Sequence, residues 1–197
     1  VNIAHMTIGE FPHEVPNDYF INYVSDDEKN NFPSFKEIAS KLGIDVNGLS
    51  GGVSLDDFNN DGMIDIFTTS YGMEDQCKLF FNTGYGFEDV TNKAGLNGIL
   101  SGLNCLHADY NNDGHMDLLI LRGAWLGSSG NHPNSLLRNN GDGTFSDVTK
   151  SSGILSFYPT QTASWADVNN DGFLDLFIGN ESKFNQNHPC ELYINQG

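Results

Sequence analysis

One nine-residue pattern occurs three times in this chain, and it constrains the fold more than any other feature. The copies are Asp57 to Asp65 (D-F-N-N-D-G-M-I-D), Asp109 to Asp117 (D-Y-N-N-D-G-H-M-D) and Asp167 to Asp175 (D-V-N-N-D-G-F-L-D). Oxygen-bearing side chains stand at the first, third, fifth and ninth positions, and glycine stands at the sixth. This spacing lets a short loop wrap a hard cation: alternate side chains turn inward, glycine takes the sharp bend, and the seventh residue offers its carbonyl. The pattern predicts three calcium ions, one per copy. The expected ligands are Asp57, Asn59, Asp61, Met63 and Asp65 in the first loop. They are Asp109, Asn111, Asp113, His115 and Asp117 in the second, and Asp167, Asn169, Asp171, Phe173 and Asp175 in the third. Met63, His115 and Phe173 contribute backbone oxygen only. Asn60, Asn112 and Asn170, at the fourth position, are expected to point outward.

A calcium-binding helix–loop–helix hand needs a carboxylate at position twelve. Thr68, Ile120 and Ile178 stand there instead, so the ninth-position aspartates are expected to complete the coordination. Magnesium is disfavoured because it keeps its waters rather than accept an all-protein cage.

The segments around the loops repeat as well. Phe35 to Ile44 (F-K-E-I-A-S-K-L-G-I) matches the stretches that begin at Phe87 and Phe145, spaced 52 residues (35 to 87) and 58 residues (87 to 145). A period near 50 suits propeller blades. Each repeat holds a small-residue lead into a strand, the acidic loop, an apolar run (I64-D-I-F, M116-D-L-L-I-L, L174-D-L-F-I) and a third run ending in asparagine (K-L-F-F-N, S-L-L-R-N, E-L-Y-I-N). A Gly-rich turn then leads to F-x-D-V-T. These short β-branched and aromatic runs between Gly/Asn/Asp turns read as four hairpin-connected strands per repeat. The fold class is therefore all-β: a partial β-propeller of about three four-stranded blades, residues 35–86, 87–144 and 145–197. Three blades do not close a ring, so the sequence reads as part of a larger propeller with further blades or a partner chain beside it. The Phe35 segment is expected to act as an outer strand that closes the ring. Residues 1–34 read as the end of a helix closed by Gly9, followed by a Pro-punctuated, charged linker.

These repeats resemble the FG-GAP/VCBS repeats of calcium-binding β-propellers, the type also found in integrin α heads. F-x-D-V-T, N-N-D-G-x-x-D-L and N-N-G-D-G-T-F are similar to the ASPIC/UnbV, or cartilage-acidic-protein-like, family over about residues 35–197. The opening N-I-A-H-M-T-I-G-E-F-P is similar to the end of a tetratricopeptide-type helical segment. The resemblance implies a seven- or eight-bladed, secreted or periplasmic propeller.

Composition narrows the function. The 197 residues carry 26 acidic and 9 basic side chains, for a net charge of −17. Three bound dications would bring that to about −11. The balance excludes a nucleic-acid footprint and disfavours anionic membranes, and no apolar run reaches the roughly 20 residues of a span. No signal peptide is visible. Calcium loops on a surface suit a secreted, periplasmic or cell-surface setting. The expected role is a non-enzymatic scaffold that binds protein or glycan. A polysaccharide-active enzyme and a subunit of a surface assembly are the alternatives, and none of H-E-x-x-H, G-x-S-x-G or a phosphate loop is present. The longest variable loop follows the second strand of the middle repeat. There Arg122 and Trp125 are a candidate clamp and stacking platform, against the simpler reading of a plug and a local ion pair. The equivalent His132 and His188 read as turn residues rather than a shared metal site. Cys77, Cys105 and Cys190 read as neither a disulfide framework nor a zinc cluster, and the equivalent Cys77 and Cys190 read as free, buried thiols.

Overall fold

The computed structural model describes residues 2–10, 13–20, 34–183 and 185–197. The chain divides into two compact units, Val1–Glu37 and Ile38–Gly197. The first holds helix α1 (Asn2–Thr7), and Gly9 takes a left-handed conformation (φ 77°) just after it. Glu10 N donates to His5 O at 2.9 Å there, so the helix end closes as a glycine C-terminus does. The expected linker from Ser25 to Pro33 lies outside the described residues.

The second unit is three antiparallel sheets, each strand pairing with the next in sequence. Sheet 1 is β1 (Val53–Asp56), β2 (Asp65–Thr68), β3 (Lys78–Asn82) and β4 (Phe87–Asp89). Sheet 2 is β5 (Asn104–Ala108), β6 (Asp117–Leu121), β7 (Ser135–Asn139) and β8 (Phe145–Asp147). Sheet 3 has three strands, β9 (Thr160–Ala166), β10 (Asp175–Asn180) and β11 (Glu191–Tyr193). Among the described residues the only α-helix here is α2 (Ala39–Leu42), capped by left-handed Gly43, and a single 3-10 turn spans Gly127–Ser129. The sheets stack through their first strands, β5 lying against both β1 and β9, but they are offset from the expected blades: β4 and β8 begin at Phe87 and Phe145, the expected first residues of the second and third blades, and complete the preceding sheet instead. Gly51 and Gly52 permit that approach, because a Cβ on Gly52 would meet Cys105 N at 2.4 Å and one on Gly51 would meet Gly102 O at 2.2 Å.

Alternation along β6 shows how the stack holds together. Leu118 and Ile120 pack toward sheet 1 with Phe67, Leu79 and Phe145, whereas Leu119 and Leu121 pack toward sheet 3 with Leu176 and Ile178. All five β6 residues are buried, which accounts for the continuous apolar run in the sequence. Among the described residues β10 has such a neighbour on one face only, and Phe177 on its other face is exposed. The F-x-D-V-T signature also has a local cause. Thr91 Oγ1 donates to Asp89 Oδ1 (2.6 Å) and accepts from Leu79 N (3.1 Å), stitching β4 to β3. Thr149 does the same for Asp147 (2.6 Å) and Leu136 N (2.8 Å).

The expected strand at Phe35 does not form. Residues 34–38 have no regular structure and Phe35 is fully exposed. A strand is stable only against a partner edge; β4 and β8 have β3 and β7 beside them, and no described strand lies in front of Phe35.

Candidate calcium loops

Each acidic loop closes the hairpin between the first and second strands of its sheet. Identical register pairs bound the three loops: Asp56 opposite Asp65, Ala108 opposite Asp117, and Ala166 opposite Asp175. The internal geometry repeats too. In the first loop Asp57 Oδ1 and Asn59 Oδ1 both accept from Asp61 N at 3.0 Å, and Asp57 Oδ2 accepts from Gly62 N at 2.7 Å. Asp61 Oδ1 accepts from Met63 N at 2.8 Å. The second loop repeats this with Asp109, Asn111 and Asp113, and the third with Asp167, Asn169 and Asp171. The sixth-position glycines have φ of 85°, 86° and 91°, a region that glycine alone enters without strain.

The ninth-position aspartates lie deepest. Asp65, Asp117 and Asp175 are buried, and both oxygens of each accept backbone N–H bonds. Asp65 takes Phe58 N (2.9 Å) and Asn82 N (2.8 Å); Asp117 takes Tyr110 N (3.3 Å) and Asn139 N (2.7 Å); Asp175 takes Val168 N (2.9 Å) and Asn195 N (2.8 Å). Burial raises the Asp65 carboxyl and pushes Asp117 up to about 7, against the pull of those N–H groups.

The loop side chains are thus turned onto the loop's own N–H groups. Among the described residues no three His, Cys, Asp or Glu side chains gather into a metal cluster. The donor set still suits a hard cation. It is oxygen only: three carboxylates, one amide and one carbonyl per loop. The first- and third-position oxygens already converge on one point. Carboxylate oxygens with a single N–H partner keep a lone pair for a cation. None of the nine loop aspartates forms an ion pair with a described Lys, Arg or His.

The fourth-position asparagines do not simply face solvent. They adopt left-handed φ of 58–60°, a conformation asparagine tolerates, and two of them reach the next loop. Asn60 Nδ2 lies 3.3 Å from Gly114 O and 2.9 Å from His115 Nδ1, and Asn112 Nδ2 donates to Gly172 O at 3.0 Å. Residues that single-repeat reasoning missed, Asn139 at the end of β7 and Asn195 two residues beyond β11, make a second link. Asn139 Nδ2 donates to Phe58 O in the preceding loop (2.8 Å), while its backbone N holds Asp117. Asn195 Nδ2 likewise donates to Tyr110 O (2.8 Å), and its N holds Asp175. A continuous hydrogen-bonded path therefore runs Asp65–Phe58–Asn139–Asp117–Tyr110–Asn195–Asp175. The asparagine that ends every third run was the available signal; its partner in another repeat was not.

The candidate ligand surface needs correction. Arg122 is buried, its Nε donating to Leu100 O (2.8 Å) and its Nη1 to Pro133 O (3.0 Å) and Ser135 Oγ (2.8 Å). It follows β6, where both faces are covered, so its guanidinium satisfies nearby oxygens and has no donor fork to offer a ligand. Trp125 is neither a plug nor its partner: it stands exposed, held at positive φ by a bond from its N to the Glu181 carboxylate. His188 Nδ1 lies 2.8 Å from Glu181 O and its ring tilts on Tyr158, as a turn residue does. Cys77 and Cys105 are buried and free, whereas Cys190 is exposed, contrary to the expectation that Cys77 and Cys190 are both buried. Burial pushes the Cys77 thiol up to about 12 and the Cys105 thiol up to about 11. At about pH 8 an aromatic disulfide reagent is therefore expected to modify one thiol per folded chain and all three after denaturation. Three fast thiols in the folded chain would contradict this packing.

Two comparisons bear on the fold and the loops. A family model described as an FG-GAP-like repeat matches residues 57–120 and 109–178, so that each match starts on the first aspartate of a loop and the second includes the third loop. Cartilage acidic protein 1 of Xenopus tropicalis is 38% identical over 65 residues, which is 32% of this chain and 9% of that protein's length. With matches that together span more than half of its residues, the chain belongs to the family of FG-GAP-like repeat proteins.

Proposed function

We propose that this chain is a calcium-stabilised section of an extracellular β-propeller that serves as a binding scaffold for protein or glycan, in a secreted, periplasmic or cell-surface setting. The observation that carries the reading is the recurrence of one oxygen-only loop, with one internal geometry, at the same hairpin of three stacked sheets. Bound calcium would neutralise clustered carboxylates and fix the hairpins that the Asn139 and Asn195 links join. Calcium here is structural; the loop residues hold it and no reaction passes through it. Family membership and the similarity to cartilage acidic protein 1 support the extracellular setting, and among the described residues no helix is long and apolar enough to cross a membrane. Further blades or a partner chain complete the propeller. Ligand recognition falls to the loops after the second strands, where exposed Trp125 offers a stacking face.

Ligand linkage sets the size of the effect. A site at a hundredfold excess over its dissociation constant contributes about 2.7 kcal/mol. Three such sites are expected to raise the melting temperature by more than roughly 10 °C over a chelator-treated sample. Identical melts in calcium and in chelator would reject structural calcium.

A further inference from the structure

The pair Asn-Gly occurs three times in the chain, at Asn47-Gly48, Asn97-Gly98 and Asn140-Gly141. Such a pair can modify itself, because glycine has no Cβ to keep its amide nitrogen away from the neighbouring side-chain carbonyl. Two freedoms are needed: the asparagine side chain must swing back onto the main chain, and the glycine N–H must be released to attack it. The fold withholds them from two of the pairs. Asn140 Nδ2 donates to Thr144 Oγ1 at 2.9 Å, its Oδ1 accepts from Ser146 Oγ at 3.1 Å, and Gly141 N donates to Asn139 Oδ1 at 3.0 Å. Gly98 is left-handed (φ 84°) and its N donates to Gln76 Oε1 at 2.8 Å, while Gln76 Nε2 donates to Leu96 O and Ile99 O on either side of the pair. Asn47 and Gly48 differ. They are exposed, outside regular structure, between α2 and β1. Among the described residues neither the Asn47 side chain nor the Gly48 N–H has a hydrogen-bond partner. The loop is tied down just after the pair, where Leu49 N donates to Ser70 Oγ at 3.0 Å.

We propose that Asn47 is a site of spontaneous deamidation and isoaspartate formation, from which the fold protects Asn97 and Asn140. Gly48 N gives its proton to solvent base and attacks Asn47 Cγ. The N–Cγ bond forms, the Cγ–Nδ2 bond breaks, and Nδ2 takes up a proton and leaves as ammonia. Water then opens the cyclic imide at either carbonyl, to aspartate or to isoaspartate; nothing is oxidised or reduced. Either product places a new carboxylate on the lining of a cavity of about 410 Å³ that Asn47 shares with Glu74 and Asp75. Isoaspartate also lengthens the main chain by a methylene immediately before the Leu49–Ser70 bond. The proposal goes beyond the binding-scaffold reading and rests neither on it nor on calcium.

The test is incubation of the folded 197-residue chain in neutral buffer, followed over time by tryptic mapping and mass spectrometry. Residues 42–78, 94–122 and 139–150 are separate tryptic peptides, with one Asn-Gly pair in each. Asn47 is expected to convert about tenfold faster than Asn97 or Asn140, whose retained hydrogen bonds hold the reacting groups apart. In the urea-unfolded chain all three are expected to convert at comparable rates, which separates protection by the fold from the effect of local sequence. Asn47→Gln is expected to remove the mass shift from peptide 42–78 without changing the melting temperature. Conversion of Asn47 no faster than the other two in the folded chain overturns the proposal. So does a difference that persists unchanged on unfolding, or a shift in peptide 42–78 that survives Asn47→Gln.

Discussion

Asn139→Ala is expected to cost the folded chain about 3–5 kcal/mol, more than any other exchange of one polar side chain in the loops or their links. Asn139 is 1% exposed. Its amide donates to Phe58 O and Met116 O, and its Oδ1 accepts from Gly141 N at 3.0 Å. Alanine leaves all three backbone groups without this partner, and each buried orphan costs about 1–3 kcal/mol. Asn82→Ala is the control from the same repeat position. Asn82 is only half-buried; its amide donates to Ile64 O at 3.1 Å and reaches no preceding loop among the described residues. Its replacement is expected to cost about 1 kcal/mol. Urea unfolding of the two variants compares them directly. Equal losses would mean that the link between loops contributes nothing beyond local hydrogen bonding.

Phe145→Ala is expected to cost about 3–5 kcal/mol through the cavity it leaves between sheets 1 and 2. The ring packs in one cluster with Phe58, Leu79, Leu96 and Leu137. At Tyr85, almost fully exposed in the turn before β4, alanine is expected to change stability by less than about 0.5 kcal/mol. The same unfolding experiment reads both. A Phe145 variant as stable as the Tyr85 variant would contradict the packing of sheets 1 and 2 around this ring.

Much of this architecture was legible in the sequence because it is local. Turn residues, alternation and apolar runs report on neighbours along the chain, and three copies of one loop separated pattern from accident. The continuous run Leu118–Leu121 carried its own message, since burial on both faces leaves no polar positions. What the sequence concealed depends on contacts between repeats. Arg122 resembles a surface clamp until both faces of β6 are seen to be covered. Asn60 and Asn112 look solvent-directed until the next loop stands beside them. Cys190 matches Cys77 in repeat position, yet Cys77 faces the adjacent sheet and Cys190 faces none among the described residues. Phe35 has the sequence of β4 and β8 but not their edge, and a strand without an edge does not form.

Direct counting of bound calcium tests the central claim most sharply. Isothermal titration of calcium into the chelator-stripped chain is expected to give three ions per chain. Asp113→Ala, which removes the exposed fifth-position carboxylate of the middle loop, is expected to give two with the fold retained. Titration that detects no binding, or a count left unchanged by Asp113→Ala, would contradict the assignment of one calcium to each loop.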